Sequence, residues 1–514
     1  MSIFKKLLGF AALGAAALLA AHPAQSREIT AAVVSGFTTL DPWDANDNLS
    51  RSVSRSIYEG LYTFDRNLRP VPQLAESYEV SKDGLSYTFK LRRGVRFHDG
   101  TEFTADAVKL NFDRGLNPDL KLMRRSFFSF VDHVDVVSPY VVRFTLKTPT
   151  AGFIQRLSNG TAAMICPGLL KGADSKQALA YKACGTGPYL LKRFNPTEEL
   201  YVVRNPHYRT DGLPKLDAIR WVPVPENATR AAMLQTGEAD FISPVPSEEF
   251  RMLEGRKNLV LEKIPSVVTR YISMNETKKP FGDIRVRQAV NYAINRRALV
   301  KVAYNGMAVP STGYLPAQIE GAVDFGEFPY DPQRARELLK EAGYPQGFET
   351  TLWSAYNDSK SMKMLQFLQQ QLAQVGIRVT TRALEAGQRS LVFGARTPEE
   401  SEHRLFLRGW SNSTAEPDWG LRPLLYSRNM PPVLLDDSYY RNPQADRLFD
   451  EAIAETDPAR RDALYAELQK LVHADAPWAP LVFEMTTAAA RKELKNFHVM
   501  PDGSFDFYDA EWAE

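Results

Sequence analysis

The stretch DPQRARELLKEAG, Asp331 to Gly343, decides the fold class of this chain. Asp331 suits a helix N-cap, Pro332 suits the first helical position where no amide hydrogen is needed, and Gly343 supplies a left-handed stop. Between them Ala335, Leu338, Leu339 and Ala342 recur at the three- and four-residue spacing of one helical face. Ser359 to Val375 repeats the pattern: Met362, Leu365, Leu368, Leu372 and Val375 are assigned to one side, and Gly376 ends it. Asp457-Pro458 opens a third helix carrying Leu464, Leu468, Leu471 and Val472. Outward from these, Tyr87 to Leu91 and Val141 to Leu146 read as strands, with Val142, Phe144 and Leu146 alternating with outward residues. Helices alternating with short strands predict mixed α/β lobes. The helical signal strengthens after about Phe281, which is the one boundary the pattern offers.

Length and composition narrow the class. At 514 residues the chain exceeds what one core serves, so two or more lobes are expected. With 44% hydrophobic and 24% charged residues, it is neither a disordered chain nor a membrane bundle. Lys5 and Lys6, the uncharged run Leu7 to Ala21 and Ala24-Gln25-Ser26 have the three parts of a signal peptide. The run is shorter than the roughly 20 residues a membrane span needs. Arg27 is therefore the expected first mature residue. No cysteine follows the apolar run, so a lipid anchor has no attachment point, and a soluble exported protein is expected. Lys plus Arg number 63 against 61 Asp plus Glu, and the leader holds two of the bases. A mature chain of balanced charge has no long-range field for nucleic acid or anionic lipid.

Cys166 and Cys184 are the only cysteines. Two buried thiols and a disulfide both fit that count; export favours the disulfide.

The search for reaction chemistry yields little. The seven histidines (His22, His98, His133, His207, His403, His473, His498) lie singly along the sequence, none two to four residues from another His or Cys. No metal site is indicated. The chain has no Gly-x-Ser-x-Gly elbow and no phosphate loop ending in Gly-Lys-Ser/Thr. Gly185-Thr186-Gly187-Pro188-Tyr189 lacks the lysine, and Pro188 removes a backbone donor, so it reads as a tight turn.

Aromatic residues set among short polar ones recur in three loop-like segments. They are Phe37-Thr38-Thr39, Trp353-Ser354-Ala355-Tyr356-Asn357, and the run from Trp410 to Trp419. Aromatic walls with a few placed polar groups suit a small amphiphilic ligand. For any single aromatic the alternative is a core position; the polar content of 410–419 favours a cleft.

Six motifs then carry a resemblance. LAESYEVSKDGLSYTFKLRRGVRFHDGTEFTADAV (74–108), GTGPY (185–189), LPKLDAIRW (213–221), MLQTGEADF (233–241), VRQAVNYAINRRALV (286–300) and YDPQRARELLKEAGYPQGF (330–348) occur in the order of one family. The chain resembles the extracellular solute-binding proteins of the dipeptide, oligopeptide and nickel class. FTTLDPWDANDNLS, TRAAMLQTGEAD, YISMN, LKEAGYPQGFETTLWS, QQQLAQVGI and EAGQR are similar to its glutathione-binding branch.

The resemblance implies an α/β, two-lobed periplasmic-binding-protein fold of the class II, dipeptide-binding type, with an extra subdomain inserted in the first lobe. By that analogy 1–26 is the leader, and 27–272 is lobe I with the insert at about 71–184. Lobe II is then 273–481, and 482–514 returns to lobe I. It further implies a periplasmic monomer without cofactor or catalysis, which delivers a glutathione-like peptide to the membrane permease of an ABC importer. Binding of ordinary di- or oligopeptides, haem or nickel is the alternative within the class; a secreted hydrolase and a holdase-like chaperone lie outside it.

Two positions depart from the peptide-binding pattern. Ser413 stands where those relatives carry an ammonium-binding Asp, and Leu352-Trp353 leads into a short loop without their carboxylate-binding Arg. A γ-glutamyl tripeptide presents an ammonium and a carboxylate on one carbon and a further carboxylate at its glycine end, so cations and an anion are needed apart. The expected ligand residues are Arg270 and Arg389 for carboxylates, Glu416 or Asp418 for the ammonium, and Thr38, Asn357, Gln388 and Ser413 for neutral hydrogen bonds. Phe37, Trp353, Trp410 and Trp419 are the expected aromatic walls.

Overall fold

Two long strands, Leu259–Met274 and Trp478–Arg491, pair antiparallel and pass through the whole molecule. Their register shifts between Pro265 and Thr269 and again between Arg270 and Tyr271, so an irregular step divides the pair. The computed structural model to which they belong describes residues 27–513 except 46 and 396. The leader assigned to 1–26 lies outside the described residues.

On one side of the step the sheet continues through Phe241–Ser243, Glu28–Val33, Ala218–Pro223, Glu199–Arg204 and Tyr189–Asn195. On the other it continues through Leu405–Ser411, Phe348–Ser354 and Ile377–Ala383. Each half contains parallel pairs, which require crossover connections and so place helices on the sheet faces. The two halves are the lobes of a mixed α/β fold.

The helices form where capping and periodicity put them. Pro332–Glu341 starts with Asp331 accepting a hydrogen bond from the Arg334 amide, and buries Ala335, Leu338 and Leu339. Gly343 follows at φ +90°, a conformation only glycine adopts without strain. Ser359–Ala373 is capped by Asp358 and buries Met364, Leu365, Leu368 and Leu372. Met362 corrects the assigned stripe: it is 38% exposed, because the buried face centres on Met364, Leu368 and Leu372 and position 362 falls to one side. Each fully buried leucine in these stripes contributes roughly 1.5–3 kcal/mol.

Residues 61–166, joined by Trp43, build a unit with its own core. Ala75–Val80, Ser86–Leu91, Val141–Leu146 and Val131–Ser138 form a four-stranded antiparallel sheet covered by helix Ala105–Leu116. Phe89, Phe112, Phe144 and Phe153 pack edge to face within it. Cys166 and Cys184 are disulfide-bonded, with Cα atoms 5.4 Å apart. A loop of that size stabilises by roughly 3 kcal/mol in the chain-entropy account. The Gly185–Gly187 turn presses on the end of helix Asn48–Ile57: a Cβ at Gly187 would lie 2.6 Å from the Ile57 carbonyl oxygen. Among the described residues no helix is long and apolar enough to cross a membrane.

Candidate functional site

Gly409 lies in the strand Leu405–Ser411 opposite Arg270 of the long strand, and the absence of a side chain there makes room for the arginine. A Cβ at Gly409 would fall 2.7 Å from Arg270 Nη1. The Arg270 guanidinium binds Glu484 through Nε at 3.0 Å and Nη2 at 3.3 Å, and lies 4.3 Å from the Tyr356 ring centre. Arg389 covers the same ring at 5.0 Å and donates from Nε to the Ala355 carbonyl at 2.7 Å. Lys360 reaches Glu484 at 2.7 Å, and the Tyr304 hydroxyl donates to it at 3.0 Å.

Arg270 and Lys360 therefore share one carboxylate, and Arg270 and Arg389 share one aromatic ring. Burial pushes the Glu484 carboxyl up, but Arg270 and Lys360 outweigh it and hold the group well below the usual carboxylate range. Nη1 of Arg270 is buried without a hydrogen-bond partner, and among the described residues Arg389 has no carboxylate at ion-pair distance. Arginines held in place by aromatic stacking, with donors to spare, are suited to bind a carboxylate bidentately.

A second group lies on the segment after Trp410. Trp410 and Trp419 pack with ring centres 5.4 Å apart, and the Trp410 indole donates to the Trp419 carbonyl at 2.8 Å. Trp419 in turn meets Phe127 of the inserted unit at 4.3 Å. Ser413 is buried, and its carbonyl accepts from Asn159 at 2.6 Å. Ser411 Oγ, both polar atoms of the Asn412 amide, and Thr414 Oγ1 are buried without a partner. Four such adjacent atoms depart from the pairing that buried polar groups ordinarily have.

Glu416 and Asp418 are occupied. Arg156 donates to Glu416 at 2.6 Å and to Asp418 at 3.1 Å, and Arg422 adds a 2.7 Å bond to Asp418. Neither carboxylate is free to take an ammonium in this conformation. Burial raises the Glu416 carboxyl and Asp418 raises it further, against Arg156.

The remaining expected residues divide. Phe37 is buried in the first lobe's core beside Phe194, and Trp353 is buried in a small apolar cluster with Arg382 over its ring, so both serve packing. Thr38 is exposed and donates to Asp47 at 2.9 Å. Asn357 and Gln388 are exposed beside Tyr356 and Arg389 in sequence. Tyr356, Lys360, Glu484, Tyr304 and Arg156 were absent from the expected set. Tyr356 alone had a signal, as the central aromatic of a loop already singled out.

Comparison with known proteins adds the family. The family model described as "Bacterial extracellular solute-binding proteins, family 5 Middle" matches residues 69–432. The glutathione-binding protein GsiB of Salmonella choleraesuis is 48% identical over 504 residues, covering 98% of each chain. GsiB of Escherichia coli K12 is 47% identical over the same length and coverage. Among solved structures, the periplasmic binding protein DppA of Helicobacter pylori, in complex with the peptide STSA, is 28% identical with a TM-score of 0.81. That match covers 95% of this chain and 98% of the other. The substrate-binding protein CtaP of Listeria monocytogenes reaches a TM-score of 0.85 at 24% identity, covers 95% and 99% of the two chains, and shares the fold. A two-lobed sheet joined by paired long strands, a cation-rich aromatic site and a profile match over most of the chain agree: this chain belongs to the family 5 bacterial extracellular solute-binding proteins.

Proposed function

We propose that this protein is the periplasmic solute-binding component of an ABC importer and that its ligand is glutathione or a closely similar γ-glutamyl peptide. The observation that carries the ligand class is the stacking of Arg270 and Arg389 on Tyr356, with Glu484 bridging Arg270 to Lys360 as the one carboxylate paired to this group among the described residues. Such a site suits a carboxylate of the γ-glutamyl end, which Arg270 Nη1 and Arg389 take while Glu484 holds Arg270 and Lys360 in place. The near-half identity to GsiB over the whole chain supports the same ligand.

Capture works by closure. Contacts from both lobes exist together only when the cleft is shut, so a ligand that bridges them shifts the population toward the closed form. The register step at Pro265–Thr269 is the proposed hinge, a few residues from the expected lobe limits at 272 and 481. Lobe I then comprises 27 to about 265 with the insert at about 71–184, and the C-terminal segment returns to it. The protein acts as a monomer, without cofactor or catalysis, and the leader is cleaved before Arg27. Ordinary α-peptides fit less well: Ser413 replaces an acid at the position the peptide binders use, and its carbonyl is already engaged by Asn159.

Small-angle X-ray scattering with and without glutathione tests closure. A smaller radius of gyration with glutathione and none with trialanine is the expected result. Identical curves for both solutes would overturn the reading.

A further inference from the structure

Arg124 sits just before the turn Arg125–Phe128 of the inserted unit; like Arg230 and Arg296 it is buried without an ion pair among the described residues, but their terminal nitrogens are taken up by carbonyls and its own are not. It is only 8% exposed, yet among the described residues no carboxylate lies within ion-pair distance. Its backbone amide donates to the Trp43 carbonyl at 3.0 Å and its Nε to the Ala45 carbonyl at 3.0 Å, which ties it to the loop before helix Asn48–Ile57. The guanidinium stacks on Phe127 at 4.8 Å. Its two terminal nitrogens donate to none of the described residues.

A second arginine stands near it. Arg51, 6% exposed, binds the Asn48 side chain and reaches Asp502 at 3.9 Å, while its Nε is buried without a partner. Asp47, the acid that acts on both arginines, is already committed: it accepts from the Ser50 amide, the Ser50 hydroxyl and the Thr38 hydroxyl. Burial, aggravated by Arg51, pushes the Arg124 guanidinium down to about 9. Buried cations are ordinarily paired, because an isolated charge away from water is costly.

Position supplies the remaining observation. Phe127 touches Trp419, Trp419 touches Trp410, and Trp410 adjoins Gly409, over which Arg270 lies. A chain of ring contacts, Phe127 to Trp419 to Trp410, thus links the ring on which Arg124 stacks to the neighbour of Gly409 and so to Arg270, with rings from the insert and from lobe II. Glu484 offsets part of the charge at the Arg270 end, whereas no carboxylate among the described residues pairs with Arg124.

We propose that Arg124, backed by Arg51, is a second carboxylate subsite that takes the glycine-end carboxylate of the γ-glutamyl peptide. This rests on the peptide-binding reading above and deepens it: one end of the ligand is held by lobe II and the other by lobe I and its insert. A ligand lacking the second carboxylate leaves Arg124 unpaired.

Calorimetry with glutathione and with its glycine-end monoethyl ester tests the subsite. The wild-type protein is expected to bind glutathione about tenfold or more tightly than the ester, the scale of one lost charge-assisted pair. Arg124→Gln is expected to bind both with nearly equal affinity. Equal affinity in the wild type, or an undiminished ratio in Arg124→Gln, overturns the subsite. If Arg124→Gln does not fold, Arg124→Lys carries the test: it keeps the charge but loses the two-pronged geometry, so the ratio is expected to shrink, and an unchanged ratio overturns the subsite. Absence of glutathione binding by the wild type contradicts the parent reading instead, so the two failures are distinct.

Discussion

Arg156, in the helix Phe153–Ser158 of the inserted unit, donates to Glu416 at 2.6 Å across the boundary with the second lobe. The same guanidinium reaches Asp418 at 3.1 Å, and all three side chains are almost wholly buried. A buried pair broken on one side leaves the other charge uncompensated, at a cost of roughly 3–5 kcal/mol. Arg156→Met is therefore expected to lower the thermal midpoint by several degrees or more and to favour an open form in scattering. Gly152 offers a second route to the same contact, since a Cβ there would fall 1.9 Å from Glu416 Oε2. Gly152→Ala should destabilise, whereas Gly172→Ala, whose Cβ would meet nothing within 4 Å, should not.

Glu484 links stability to pH. Its carboxyl is held below the ordinary range because Arg270 and Lys360 overcome the effect of burial. A depressed folded value means the contribution is fully present above the unfolded carboxylate value of roughly 4.5 and is lost as pH falls below it toward the folded value. Glu484→Gln should unfold at lower temperature than wild type at pH 7 and lose less on acidification. Thermal melts of both proteins between pH 7 and pH 3 check this; parallel curves would contradict it.

Arg389 separates ligand binding from folding. Among the described residues its contacts are one backbone carbonyl and the Tyr356 ring, so Arg389→Met should change stability by no more than about 1 kcal/mol. Glutathione affinity should fall roughly 10- to 100-fold, as expected for losing a charge-assisted pair in a desolvated cleft. Paired unfolding and calorimetric measurements distinguish the two effects.

Periodicity carries far in this chain because capped helices are local. Asp331, Pro332 and Gly343 mark the ends of one helix almost to the residue, and Val142, Phe144 and Leu146 alternate inward as their spacing demands. Met362 misled because a stripe read by hydrophobicity alone does not reveal which of two flanking positions faces the core. The site was legible only in part. Arg270 and Arg389 were expected as carboxylate partners, and the structure brings both onto Tyr356. What neutralises each charge was not legible, since Glu484 is 214 positions from Arg270 and Arg156 is 260 from Glu416. Pairings across such distances are set by the long-strand register and the docking of the insert, which no local pattern encodes.

The central claim is that the cleft recognises the γ-linked geometry, with the arginines on Tyr356 facing a carboxylate and ammonium on one carbon. Calorimetric titration with γ-glutamyl-cysteinyl-glycine and with its α-linked isomer, identical in composition and charge, tests it most directly. Saturable binding of the γ-linked peptide, with the α-linked isomer at least tenfold weaker, is the expected result. Equal binding of the two, or binding of neither, would contradict it.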